Sequence, residues 1–237
     1  MLRRIQKDRA KNISIQCQAQ SILRELKSLS DQVAVEGMLR FGINPQNTYG
    51  VSIPDLRRIA KKVGKNHRLA QALWRRRVHE ARILAGMIDE PALVSEKQMN
   101  RWAKDFDSWD VCDQVCLNLF DRTEFAYRKA VEWSQSDREF VKRAGFVLMA
   151  VMAVHNKEMS NQEFLDFFPL IKKGATDRRN YVKKAVNWAL RQIGKRNEEL
   201  RTEAIKLALE IKNINSREAR WVANDALKEL RAKVFKR

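Results

Sequence analysis

The sequence predicts an all-α fold on three observations. Asn-Gly and Asp-Gly pairs are absent and alternating β-branched stretches nearly so, which leaves almost no strand signal. Apolar residues recur at spacings of three and four, the period of a helix with one buried face. The four prolines, at positions 45, 54, 91 and 169, all fit helix starts or loops. With 44% apolar residues, the 237-residue chain can bury a substantial core.

Five segments carry the helical spacing most clearly, at 14–29, 69–88, 139–154, 180–196 and 200–212. The longest irregular stretch, 41–54, ends at Pro54, which together with the acid after it is typical of a helix start. The run FVLMAVMAV at 146–154 has nine residues, about half a membrane span, so we interpret it as a buried helix. We expect a basic N-terminal extension over 1–14 and one domain over 15–237.

An internal repeat refines the fold class. Two cations or polar residues, then Ala, then an apolar turn occur at Ala144, Ala185 and Ala226, twice at a spacing of 41 residues. A period of about 40 residues built from helix pairs is typical of HEAT-type solenoids. We therefore predict a right-handed solenoid of about six HEAT-like repeats that forms a curved, basic concave groove. An irregular bundle with accidental spacing is the alternative.

Charge and cysteine content restrict the partner and the compartment. The chain has 47 Lys and Arg against 29 Asp and Glu, a formal net charge of +18. This excess favours a polyanionic partner, nucleic acid first and an anionic membrane surface second. Three cysteines are too few for a disulfide framework, so we expect a reducing compartment, and no histidine is near enough in sequence to complete a zinc site.

Cations next to the repeat alanines would line up if the repeats stack in register. They are Lys142, Arg143, Lys183 and Lys184; Arg220 belongs to the last copy, and Arg191 lies two turns beyond Lys184 on its helix. Such a row matches the ribbon of negative charge on duplex DNA, although most charge runs are only solvated helix faces. Six neutralised phosphates would give log K against log salt a slope of about −5.

An acidic-aromatic cluster, DSWDVCDQV at 107–115, interrupts this basic chain. Asp107 fits a helix N-cap and Asp110 fits the first turn. Trp109 and Asp113 are four residues apart, so ring and carboxylate project side by side. An acid at the edge of a buried stripe is often simply paired with an arginine, which is the structural alternative.

The later repeats supply Arg143 and Trp188 at the corresponding register. Indole faces attract cations, and a carboxylate stabilises developing positive charge, as in glycosidases that pass through an oxocarbenium-like state. Arginine can hold a phosphate with two donors. Together these residues suit a cationic reacting centre beside DNA.

At these residues the chain resembles the AlkD-like DNA alkylation-repair proteins, which are HEAT-like-repeat DNA glycosylases. The resemblance covers roughly 33–230 and rests on MLRF, YGVSIPDLRR, LWRRRVHEARILA, DSWDVCDQV, VKRAGF and VKKAVNWALRQIGKRN. It implies hydrolysis of the N-glycosidic bond of N3- and N7-alkylpurines in duplex DNA, without a base-flipping pocket. It also implies Trp109 and Asp113 as the catalytic pair, Arg143 as a phosphate-organising residue and Trp188 as a cleft residue, with Arg57 and Arg191 on the DNA backbone.

One position departs from the family. Phe41 stands where relatives can have tyrosine, so stacking stays possible but a hydroxyl is lost. The full set of expected DNA-binding residues is Phe41, Arg57, Lys142, Lys183, Lys184, Arg191 and Arg220.

We expect no cofactor and no metal, a monomer that binds double-stranded DNA containing alkylated purines, no membrane association, and a cytoplasmic, nucleoid-associated location. Two alternatives stay open. One is a non-catalytic DNA-binding solenoid for distorted or branched duplex, and the other is a protein-interaction scaffold.

Overall fold

The computed structural model describes the backbone of residues 2–232 and the side chains of residues 13–232. Met1, residues 233–237 and the side chains of 2–12 lie outside this description, and with them part of the expected N-terminal extension. The α-helices of the described chain are α1 (Leu2–Ser28), α2 (Gln32–Arg40), α3 (Ile53–Val63), α4 (His67–Trp74), α5 (His79–Ile88), α6 (Glu96–Asp105), α7 (Trp109–Asn118), α8 (Ala126–Trp133), α9 (Glu139–His155), α10 (Asn161–Leu165), α11 (Phe168–Gly174), α12 (Asn180–Gly194), α13 (Glu198–Lys212) and α14 (Arg217–Ala232).

The described residues contain no β-strand, which confirms the all-α prediction. Short 3₁₀ turns occur at Pro91–Leu93 and Phe120–Arg122. The chain divides into two compact units, Met1–Gln98 and Met99–Arg237, with the boundary inside α6. No helix of the described chain is long and apolar enough to cross a membrane.

The first unit packs α5 against α3 and α4, and α1 against α4. A buried carboxylate organises the entry to α3. Glu80 Oε1 accepts hydrogen bonds from the backbone amides of Tyr49 (2.9 Å), Gly50 (2.7 Å) and Val51 (3.3 Å). The irregular segment before α3 is thus held in place by one acid of α5, and α3 presents Arg57 on its exposed face.

The second unit places α7, α9, α12 and α14 side by side in parallel. Cys112 Sγ contacts the carbonyl of Phe140, and Cys116 Sγ, one turn later, contacts that of Ala144, also one turn later. The contacts continue from α9 to α12, where Arg143 bonds the carbonyl of Tyr181. They continue from α12 to α14, where Asn187 bonds the carbonyl of Val222. Short α8 packs on α9, and α13 packs on both α12 and α14. Parallel neighbours bring equivalent positions of successive repeats together.

The repeat alanines lie at the centres of these contacts. Ala144, Ala185 and Ala226 belong to α9, α12 and α14, and each is fully buried. Gly145 allows a still closer approach, because a Cβ built there would lie 2.3 Å from the backbone nitrogen of Ser134 at the end of α8. Small residues therefore set how close α9 lies to its neighbours.

Two local features differ from the sequence expectation. The segment 69–88, which carries one continuous helical spacing, forms two helices separated at 75–78, with Arg77 in the left-handed region at φ 56°. His79 N donates to the carbonyl of Asn47 (2.9 Å), so a tertiary contact holds the start of α5. The second feature is only one of bounds: α1 begins at Leu2, so its backbone includes most of the segment 1–14, whose role as an extension stays a prediction.

Candidate functional site

Residues 109–115 of the acidic-aromatic cluster form the first two turns of α7. The helix begins at Trp109 and its N-cap is Ser108, so the expectation of an Asp107 cap is wrong. Ser108 has an extended backbone and makes no side-chain bond to a backbone amide of the helix; its hydroxyl donates to Asp110 Oδ1 (2.7 Å). Asp110 does lie in the first turn, where an acid favours the helix dipole.

Asp113 and Arg143 form a bidentate ion pair between α7 and α9. Arg143 Nε donates to Asp113 Oδ1 (2.8 Å) and Nη2 donates to Oδ2 (2.7 Å). A third donor, Nη1, bonds the carbonyl of Tyr181 on α12 (2.6 Å). The guanidinium also lies over the Trp109 ring, 5.8 Å from its centroid, within the range of a cation–π contact. Two expected catalytic residues are thus paired with each other, which is the pairing that the structural alternative predicted for Asp113.

For both Asp113 and Arg143, burial and the ion pair shift the pKa of the side chain in opposite directions. The pKa of the Asp113 carboxyl is raised, because burial outweighs the charge and hydrogen bonds of Arg143, which lower it. Burial alone would lower the pKa of the Arg143 guanidinium, but Asp113 outweighs it and raises that pKa. Since the guanidinium stays protonated, its two hydrogen bonds favour the ionised form of Asp113 against the effect of burial.

The ion pair leaves some hydrogen-bond acceptor positions of the Asp113 carboxylate unused. A carboxylate has about four lone-pair positions, and Arg143 occupies two of those on Asp113. The Asp113 side chain is 15% exposed and that of Arg143 only 6%. Asp113 can therefore still accept a hydrogen bond from a water or orient its charge toward a ligand, while Arg143 is mostly enclosed.

Lys142, next to Arg143, is tied to the segment before α12. Its Nζ lies 2.9 Å from Asp177 Oδ2, and Asp177 also receives two hydrogen bonds from Arg179, at 2.9 and 2.6 Å. Burial tends to raise the pKa of Asp177, but the bonds from Arg179 and Lys142 dominate and hold it far below its usual range. Lys142, expected as a DNA contact, thus has its charge compensated within the protein.

Trp188 and Arg191 lie on α12, the helix next to α9. With the Gln192 amide oriented to suit its neighbours, its oxygen accepts from Trp188 Nε1 (3.0 Å) and Lys195 Nζ (3.2 Å). Arg191 Nη1 donates to Glu229 of α14, which also pairs with Lys195. Arg191 is therefore another expected DNA contact whose charge is compensated internally.

The other expected DNA contacts are more accessible. Lys183 Nζ lies 4.9 Å from the centroid of the Trp221 ring. Lys184 and Arg220 are exposed in the second unit, as are Arg57 and Phe41 in the first. Within the part of the chain that the structure describes, Lys184, Arg220 and Arg57 have no side-chain hydrogen bond or ion pair.

Sequence reasoning missed Asp177, Tyr181 and Glu229. Each lies 35 to 38 residues after its partner, Lys142, Arg143 or Arg191. That separation is the repeat length less about one helical turn. A search for acids at this offset from each cation would have found Asp177 and Glu229, whereas the backbone carbonyl of Tyr181 leaves no sequence signal.

An open cavity of about 720 Å³ lies elsewhere in the second unit. It is lined by Asp121, His155 and their mostly polar neighbours, and His155 Nδ1 lies 2.5 Å from Asp121 Oδ2. His155 lies twelve residues beyond Arg143 on α9, about 18 Å along the helix, so this cavity is separate from the ion pair. Among the described residues, no three His, Cys, Asp or Glu side chains are grouped to hold a metal ion.

Comparison with known proteins connects this geometry to a family. No curated protein matches the sequence. The fold is similar to that of a solved protein described as related to the HEAT-like repeat DNA glycosylases with affinity for branched DNA structures. That likeness has a TM-score of 0.74 and 20% identity, and covers 87% of this chain and 92% of the other. A designed armadillo repeat protein solved with a (KR)4 peptide is less similar, with a TM-score of 0.39, 16% identity, and coverage of 74% and 91%.

The fold is therefore of the HEAT-like repeat type. The family described as DNA alkylation repair enzyme matches residues 22–230, most of the sequence. The chain belongs to the DNA alkylation repair enzyme family.

Proposed function

We propose that the protein hydrolyses the N-glycosidic bond of cationic N3- and N7-alkylpurines in duplex DNA. The observation that carries this proposal is the Asp113 carboxylate, fixed by Arg143 beside the Trp109 ring and still 15% exposed. A fixed, ionised carboxylate at a partly enclosed site is what a developing oxocarbenium sugar requires. Family membership supports alkylated DNA as the substrate class.

The chemistry needs no acid to protonate the leaving base. An N3- or N7-alkylpurine already carries a positive charge, so it leaves as a neutral base when it takes the electron pair of the bond to C1′. Water adds to C1′ and gives up a proton to solvent. Asp113 stabilises the positive charge on the sugar and accepts a hydrogen bond from that water. Trp109 and Trp188 pack against the deoxyribose, and Arg143 contacts the adjacent phosphate with its two remaining N–H groups.

Replacing Asp113 tests this directly. We expect Asp113→Asn to bind duplex DNA as the parent does and to release 7-methylguanine from methylated duplex DNA about a hundredfold more slowly or worse, the loss typical of one preorganised electrostatic group. Asn keeps one oxygen for Arg143, so thermal unfolding is measured alongside to ensure that the assay temperature is below the transition.

Asp110→Asn is the matched control, since it removes the same charge three residues earlier on the same helix. We expect it to keep near-parental release. Equal rates for Asp113→Asn and the parent would remove Asp113 from the mechanism, and equal losses in both variants would indicate a general effect on α7.

Non-catalytic binding of branched DNA is a second candidate. Occupation of both Asp113 oxygens by Arg143 favours it, because a purely structural ion pair needs no substrate. The similar solved protein, described as having affinity for branched DNA structures, points the same way. If the parent releases no base from methylated duplex yet binds four-way junctions more tightly than duplex, this second function replaces the first.

A further inference from the structure

The exposed face of α14 has an unusual distribution of charge. Its exposed positions recur at spacings of three and four, a stripe about 100° wide at 3.6 residues per turn. They are Arg217, Arg220, Trp221, Asn224, Lys228 and Arg231; Ala232, the last residue of the helix, is exposed as well. No acid lies on this stripe, although α14 contains three acids and one of them, Asp225, borders the stripe with its side chain 44% exposed.

Those three acids all lie on the side of α14 that faces α12. Glu229 pairs with Arg191 and Lys195, and Asp225 Oδ2 lies 3.7 Å from Arg191 Nε. Hydrogen bonds to its own backbone and to Ser216 lower the pKa of Glu218, and the charges of Lys183 and Arg178 lower it further. The acids of α14 therefore compensate cations on α12 and in the segment just before it. The cations of the exposed stripe are left without an acidic partner on α14.

Trp221 is the second unusual feature of the stripe. It is 40% exposed, and Lys183 Nζ lies 4.9 Å from its ring centroid. An exposed indole beside cations offers a flat apolar surface and positive charge together. That combination fits an anionic ligand that also has aromatic faces.

We propose that the exposed stripe of α14 binds an unpaired strand of nucleic acid, with a base stacked on Trp221 and the phosphates on the cations. In a duplex each base face is covered by its neighbours, so the indole would gain little there, whereas an unpaired base presents a free face. The stripe extends for about 21 Å from Arg217 to Arg231, enough for several cation–phosphate contacts. The inference rests on the proposed DNA binding but not on hydrolysis at Asp113.

The test compares a blunt duplex with the same duplex carrying an unpaired extension on one strand, neither of them alkylated. The parent protein is expected to bind the extended duplex more tightly. Trp221→Leu keeps apolar contacts but removes the aromatic face, and we expect it to lose roughly tenfold in affinity for the extended duplex. Its affinity for blunt duplex and its release of 7-methylguanine from blunt duplex should not change. Trp221→Phe should restore most of the loss.

Leu209→Ala is the matched control, because Leu209 of α13 is 41% exposed and apolar. It should bind both DNAs as the parent does. The proposal is overturned if Trp221→Leu binds the extended duplex as tightly as the parent, or if it weakens both DNAs equally. Polyglutamate and anionic vesicles serve as polyanions without bases. The proposal is also overturned if Trp221→Leu weakens binding to these probes but not to the extended duplex.

The two proposals can fail separately. If the parent protein releases no base but binds the extended duplex in a way that depends on Trp221, the proposed hydrolysis is rejected and this inference stands. Normal base release with no preference for the extended duplex would do the reverse.

Discussion

Arg143 has five N–H donors, and three of them are used inside the protein. Two hold Asp113 and one holds the carbonyl of Tyr181, so this residue links α7, α9 and α12. Any contact with a phosphate has to use the remaining two donors. Arg143 is thus as much a positioning residue for Asp113 as a DNA contact, and a lysine there could not make the same bidentate bond.

Asp177 gives a residue-scale prediction about pH. Its pKa is lowered in the folded protein, so its contribution to stability is present above about pH 4 and is lost as acid protonates the folded carboxylate. We expect Asp177→Asn to unfold at a lower temperature than the parent at pH 7, and the two unfolding temperatures to converge toward pH 2. Thermal unfolding from pH 7 to 2 measures this, with Asp137→Asn, an exposed acid near Arg179, as control. Parallel curves at all pH values would contradict the prediction.

At the scale of helices, the approach of α8 to α9 depends on Gly145. A Cβ there would meet the Ser134 nitrogen at 2.3 Å, and backbone cannot move aside as a flexible side chain can. The contact lies two residues from Arg143, so the position of α9 that it fixes is also the position from which Arg143 reaches Asp113.

Gly145→Ala should therefore destabilise the protein by about 1–3 kcal/mol, the usual cost of overpacking. Gly37→Ala is a matched control, since nothing lies within 4 Å of the Cβ that it adds in the middle of α2. That change should stabilise the helix by about 0.5–1 kcal/mol, because glycine disfavours helix interiors. Urea unfolding of both variants measures the difference, and similar effects of the two substitutions would refute the packing argument.

At the scale of the whole molecule, a net charge of +18 conceals extensive internal pairing. Of the six cations expected on DNA, Lys142 and Arg191 already face acids. Four cation–phosphate contacts would give a slope of log K against log salt of about −4, whereas six would give about −5. The structure thus lowers the salt dependence expected from sequence.

Two substitutions test this count. Lys184→Gln removes an exposed cation without a partner and should make the slope shallower by about 0.9. Lys142→Gln removes a cation compensated by Asp177 and should leave the slope nearly unchanged. Filter binding of duplex DNA at several salt concentrations gives both slopes. An equal change in the two variants would show that Lys142 leaves Asp177 to bind phosphate.

Sequence patterns predicted what depends on periodicity. The all-α class, the helices around Ala144, Ala185 and Ala226, and the nearness of Trp109 to Asp113 all follow from spacings along single helices. The break at 75–78 was not predicted, because arginines do not interrupt helical periodicity and the contact of His79 with Asn47 is tertiary. Pairing of Asp113 with an arginine was the structural alternative, but the partner was not identified, and the other ion pairs were not predicted, because they depend on which side chains face each other across neighbouring helices.

The thiols between α7 and α9 have a consequence for protein engineering. Cys112 and Cys116 are small enough for α7 to approach the carbonyls of Phe140 and Ala144. Anyone transplanting the tryptophan, the aspartate and the arginine onto another scaffold would have to carry over these inconspicuous small residues as well. Without the helix spacing they permit, the transplanted guanidinium would miss its carboxylate.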